Sequence, residues 1–103
     1  MTRIRLNPQD RHRQMVEAGV VLAGKYGIKA LTRVAIANET GTTDGLVNRY
    51  FGTRAGLRSA IIAEGVKRKD VRIVAFAMRE GFTVHDAPRQ LRRDAARLVE
   101  KLT

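Results

Sequence analysis

Apolar residues in this chain recur at intervals of three and four, and short polar stretches containing Gly, Thr or Asp separate the runs. That is the period with which an α-helix buries one face. The first run spans Asp10 to Tyr26, with Met15, Ala18, Val21 and Leu22 on its apolar side, Asp10 as expected N-cap and Gly27 as a left-handed terminator. A second helix is expected over Thr32 to Thr40, capped by Thr32, burying Val34, Ala35, Ile36 and Ala37, and stopped by Gly41. Thr43 then caps a short third helix from Asp44 to Tyr50 or Phe51, whose apolar members are Leu46, Val47 and Phe51. Asp44 in its first turn suits the positive end of the helix dipole.

After Gly52 the pattern restarts with Thr53 as cap, and Leu57, Ala60, Ile61, Val66, Ile73, Val74, Ala77 and Met78 carry an apolar face towards Gly81. The spacing admits one long helix or two with a break at the charged residues 67–70. Residues 71–78 (VRIVAFAM) also have strand-like Val and Ile content, but a lone strand has nothing to pair with, so helix is expected. Residues 82–87 read as a connection, with Asp86 as N-cap and Pro88 in the first turn of a last helix that runs to Leu102. Leu91, Ala95, Leu98 and Leu102 form a seam of about two heptads, which either pairs in a dimer or folds back on its own chain.

Composition narrows the picture. A chain of 103 residues, 44% of them hydrophobic, suits one packed domain. Aromatics at 5% and the absence of Trp favour helices packed through aliphatic side chains. The net charge of +10 is spread along the chain, ten basic against four acidic residues over 1–60 and ten against six over 61–103. Such a balance points to a polyanionic partner, nucleic acid first. With no Cys, disulfides, thiolate metal sites and a cysteine nucleophile are excluded. No apolar run approaches the roughly 18 residues that span a bilayer, and the basic N-terminus lacks an apolar segment behind it. A cytoplasmic, nucleoid-associated protein without membrane contact is expected.

The most specific pattern is residues 30–57, ALTRVAIANETGTTDGLVNRYFGTRAGL. Two short helices cross closely only over a small residue, here Ala37, and the tight turn needs a residue tolerant of positive φ, here Gly41. The second helix buries Val47 and Phe51 and leaves Asp44, Gly45, Asn48 and Arg49 on its wet face. Over about residues 13 to 62 the sequence resembles the N-terminal DNA-binding domain of the TetR family of transcriptional regulators. Ala18, Gly19, Leu22, Ala23 and Gly27 hold the places of that family's first-helix motif. Ile36, Ala37 and Gly41 match its Ile-Ala and Gly, and Thr43, Phe51, Arg54 and Leu57 match its N-cap, Phe, basic residue and Leu. Departures are Ala23 for Phe, Thr40 for Ala, Thr42 for Val and Asn48 for a phosphate-contacting Tyr.

The resemblance implies an all-α fold: a three-helix helix-turn-helix domain followed by one or two C-terminal helices for dimerisation. The expected division is a basic arm over 1–9, the helix-turn-helix domain over 10–56 and a dimerisation segment over 57–103, a minimal form without a ligand-binding domain or small-molecule inducer. It further implies that Asp44, Gly45, Asn48 and Arg49 face bases in the major groove, that Thr32, Thr43, Tyr50 and Arg54 hold phosphates, and that Arg33 belongs to the same interface. Arg49 suits guanine O6 and N7, and Asn48 suits adenine N6 and N7, at roughly 1 to 3 kcal/mol of discrimination each. Against these stand a solvated or phosphate-bound Arg49 and a Tyr50 partly buried against the first helix. Arg3, Arg5, Arg11 and Arg13 form either an arm onto DNA or a solvated tail, and Lys67, Arg68, Lys69 and Arg72 read as a solvated face. His12 and His85 are isolated, so no metal, cofactor or catalytic residue is expected. The function expected is a sequence-specific regulator, a repressor on a palindromic operator as a homodimer; the alternative is a non-specific nucleoid-type or accessory nucleic-acid-binding protein.

Overall fold

The computed structural model describes residues 7–102, and among these it holds six α-helices, one 3₁₀ turn and no strand. They are α1 (Pro8–Tyr26), the 3₁₀ turn (Ile28–Ala30), α2 (Arg33–Thr40), α3 (Asp44–Phe51), α4 (Arg54–Lys67), α5 (Val71–Arg79) and α6 (Arg89–Leu102). Arg3 and Arg5 of the expected arm lie outside the described residues.

The N-cap of α1 is Asn7, not Asp10: Asn7 Oδ1 accepts from Asp10 N at 2.8 Å and Pro8 opens the helix. Proline's fixed φ suits that first position and places Asp10 in the first turn. α1 packs against α2, α4 and α5, so its inward face carries Met15, Ala18, Gly19 and Ala23. Val21, expected inside, lies off that face and is 45% exposed. Gly27 has the positive φ expected of it (94°), but its ψ of 174° turns the chain into the 3₁₀ turn rather than into the left-handed helical region.

In α2 only Ile36 and Ala37 are buried, Ala35 is half-buried, and Val34 is exposed. One side of an eight-residue helix cannot bury four consecutive positions.

Residues 54–79 form two helices. Lys69 takes φ 55° at the junction, and Asp70 Oδ1 accepts from Ile73 N at 3.1 Å to cap α5. α5 is the central element: Ile73, Phe76 and Ala77 join Met15, Ile28, Leu31, Ile36, Val47, Leu57 and Ile61 in the main core. Its other side, Val74 and Ala75, meets Ala87, Leu91 and Ala95 in a second cluster. The seam of α6 therefore folds back onto its own chain, with Leu91 and Ala95 buried and Leu98 and Leu102 partly so. Asp86 lies in the turn before α6 and not at its cap, because the helix begins only after Pro88, whose carbonyl accepts from Arg92 N at 3.0 Å. The boundary expected between residues 56 and 57 falls inside α4, whose Leu57, Ile61 and Ile62 belong to the main core.

Candidate nucleic-acid interface

The interface is built on the turn between α2 and α3. Gly41 occupies the left-handed region (φ 68°, ψ 31°), a conformation that costs any residue with a Cβ about 1 kcal/mol or more. Thr42 N returns to Ala37 O at 2.9 Å. The Thr40 hydroxyl donates to Ile36 O at 2.8 Å and also meets the Thr42 hydroxyl at 2.8 Å, so two of the departures from the family pattern brace this turn.

α3 starts at the Thr43 cap, whose Oγ1 accepts from Leu46 N at 3.2 Å. Val47 is fully buried, and Leu46, Tyr50 and Phe51 are half-buried. Asp44, Gly45, Asn48 and Arg49 are all exposed, as a helix docked through one stripe requires. A Cβ at Gly45 would meet nothing within 4 Å, so the protein's own packing does not demand glycine there. Arg49 makes no hydrogen bond or ion pair among the described residues.

Arg33 reaches from the first turn of α2 across to α3. Its Nη1 donates to Asn48 Oδ1 at 2.7 Å, and its Nε lies 3.0 Å from Asp44 Oδ1 as an ion pair. Beside this pair, a hollow of about 380 Å³ is lined by Thr32, Arg33, Val34, Asp44, Thr53 and Arg54. Thr32 caps α2 through Ala35 N at 3.0 Å, and Thr53 caps α4 through Gly56 N at 3.2 Å. The first turns of three helices thus converge on one depression with two arginines and one carboxylate, Asp44, which is paired to Arg33; the helix dipoles and the remaining net positive charge favour an anion. Exposed Val34 stands at its rim, a neighbour that its apolar character disguised in the sequence.

Tyr50 lies on the side of α3 that faces α1. His12 packs its ring here, with its centroid 6.1 Å from that of Tyr50 and stacked on Phe51 at 5.3 Å. Among the described residues no group of His, Asp or Glu is gathered as metal ligands would be.

Long-range contacts made by Glu80, Arg58 and Arg68 hold this unit in place. Glu80 accepts from Ile28 N at 2.8 Å and Lys29 N at 2.7 Å, capping the 3₁₀ turn from the end of α5. Arg58 of α4 donates to Leu31 O at 3.2 Å and Lys29 O at 2.7 Å; burial lowers its pKa, as does the nearby Arg54, while Glu80 opposes them. Arg68 grips both carboxylate oxygens of Glu17 and donates to Glu64 Oε2 at 2.6 Å. The hydrogen bond from Arg68 holds the Glu17 carboxyl below the usual range against an opposing effect of burial, and Arg68 is itself pushed up. Arg68 is thus a brace, not the simple solvated charge expected. Apart from Glu64 and Arg68, four residues apart along one helix, spacing along the chain carried no signal of these pairs.

Two short helices joined at a left-handed glycine, the second with a polar exposed face on a strongly basic chain, define a helix-turn-helix DNA-binding protein. Residues 15–61 match the family model described as bacterial regulatory proteins, tetR family. The match supports a TetR-family helix-turn-helix DNA-binding domain over these residues, and with it a DNA-binding transcription regulator. Neither a curated protein nor a solved structure matches it. Among the described residues no helix is long and apolar enough to cross a membrane.

Proposed function

We propose that the protein is a sequence-specific repressor that binds a palindromic operator as a homodimer, with α3 laid in the major groove. The carrying observation is that Asp44, Gly45, Asn48 and Arg49 are exposed together while Val47 behind them is fully buried. In this reading Asn48 and Arg49 meet base edges, Asp44 and Gly45 lie against the groove floor, and Thr32, Arg33, Thr43, Tyr50 and Arg54 face the sugar-phosphate backbone. The hollow between the first turns of α2, α3 and α4 receives a phosphate. Backbone contacts fix register and base contacts supply specificity. TetR-family regulators typically pair. The pairing surface lies elsewhere than Leu91 and Ala95, which α5 already covers.

A second reading, general nucleic-acid binding through charge, is favoured by exposed Arg89, Arg93, Arg97 and Lys101, a basic row at four-residue spacing along α6. Selection of bound duplexes from a random pool at about 150 mM salt separates the two, because non-specific phosphate attraction is already weak there. An inverted repeat with half-sites about one helical turn, or 34 to 36 Å, apart or a multiple of it is expected. An unenriched pool, with binding that only fades as salt rises, rejects the repressor in favour of the general binder.

A further inference from the structure

The bond from Arg33 Nη1 to Asn48 Oδ1 at 2.7 Å settles which way the Asn48 amide points. A guanidinium carries donors and no acceptor. The side of the amide turned to Arg33 must therefore be its oxygen, and Nδ2, with two N–H groups, has no partner among the described residues. One helical turn earlier, Arg33 Nε sits 3.0 Å from Asp44 Oδ1. Asp44 and Asn48 are four residues apart on α3 and so stack on one face. A single side chain from α2 thus holds two of the three polar side chains that this face presents, Asp44 and Asn48 but not Arg49, at residues the sequence separates from it by eleven and fifteen positions.

We infer that Arg33 is a positioning residue that sets the hydrogen-bonding polarity of the α3 reading face, presenting Asn48 as a donor and Asp44 as an acceptor, and so determines specificity without touching a base. This rests on the proposed reading that α3 enters the major groove. A free Asn pairs with adenine by donating Nδ2–H to N7 while Oδ1 accepts a hydrogen bond from the N6 amino group. Here the charged donor Arg33 competes for Oδ1, and charge-assisted bonds are roughly twice as strong as neutral ones. With one of the two lone pairs of Oδ1 taken by that charged donor, the unpartnered NH₂ group is the stronger hand of the amide, and it complements the two acceptors of guanine, O6 and N7. Asn48 is accordingly matched to guanine, in place of the adenine expected from residue type alone. Asp44, through Oδ2, is matched to the N4 amino group of cytosine. The ion pair also offsets the repulsion that an unpaired carboxylate would meet beside phosphates.

The experiment selects bound duplexes from one random pool with the full chain as wild type, N48A and R33A, with R33M as a second variant that keeps the apolar stem but no donor. Arg33 and Asn48 both lie outside the core, and a thermal unfolding scan checks that each variant is folded. N48A marks the base position that Asn48 reads, because preference there collapses. At that position the wild type is expected to favour guanine, and R33A and R33M to move the guanine-to-adenine ratio towards adenine by about tenfold. A clear motif whose preference at that position is unchanged in R33A and R33M overturns the inference and leaves the repressor reading intact. A wild-type pool with no motif removes the reading and the inference together. A motif with adenine at that position in the wild type overturns the inference alone.

Discussion

Glu80 is 52 residues from Ile28 in sequence, yet its two carboxylate oxygens take the backbone N–H groups of Ile28 and Lys29 at 2.8 and 2.7 Å. Removing an acceptor from such groups costs roughly 1 to 3 kcal/mol per group left unpaired in a buried setting. Lys29 is exposed and water replaces part of its loss, so Glu80→Ala is expected to destabilise by about 1 to 2 kcal/mol in denaturant unfolding. An unchanged midpoint would show that the contact is idle. At Glu17 the effect is one of pH. Its folded-state carboxyl titrates below the usual range because Arg68 bonds the charged form. Stability from this pair is present above the ordinary carboxylate pKa and is lost as pH falls through the depressed one. Glu17→Gln should therefore lower stability at neutral pH and flatten its fall in acid; acid unfolding curves that differ by a constant offset at every pH would contradict this.

The elements of the helix-turn-helix are short, eight residues each for α2 and α3. Helices of that length do not persist alone, so caps and docking decide whether they form. Thr43→Ala removes the acceptor for Leu46 N, and about 1 kcal/mol of stability is expected to go with it. The loss should be local: amide exchange in α3 should accelerate more than in α5, and equal acceleration in both would argue against a separately fraying α3. This level was the most legible in the sequence. Thr32, Thr43 and Thr53 as caps and Gly41 as the turn residue each follow from chemistry within four positions. Where two side chains could serve, as Asn7 and Asp10 both could, Pro8 decided, and the pattern alone did not give it weight. Val21 and Val34 were misplaced because spacing defines an apolar face only once the neighbour that covers it is known. The lateral bonds of Arg33 and the rings against His12 join separate elements, and no local period encodes them.

Across the whole molecule, α5 divides the interior between two clusters and ties the C-terminal helix to the DNA-binding unit. Leu91→Ala opens space in the smaller cluster and is expected to cost about 2 to 5 kcal/mol. Because Leu91 packs within its own chain, that loss should be the same at every protein concentration. A destabilisation that shrinks as concentration rises, together with a weaker dimer by sedimentation, would place the residue between subunits instead.

The central claim is that the exposed face of α3 reads sequence, and the ratio of affinities for the selected duplex and a random duplex tests it most directly. Wild type and Arg49→Ala are compared at one salt concentration, since phosphate attraction changes both affinities with salt. Loss of a bidentate guanine contact is expected to reduce that ratio about tenfold or more, while random-duplex affinity falls only by the share of one charge. If both affinities fall by the same factor, Arg49 serves the backbone alone and the face does not read bases as described.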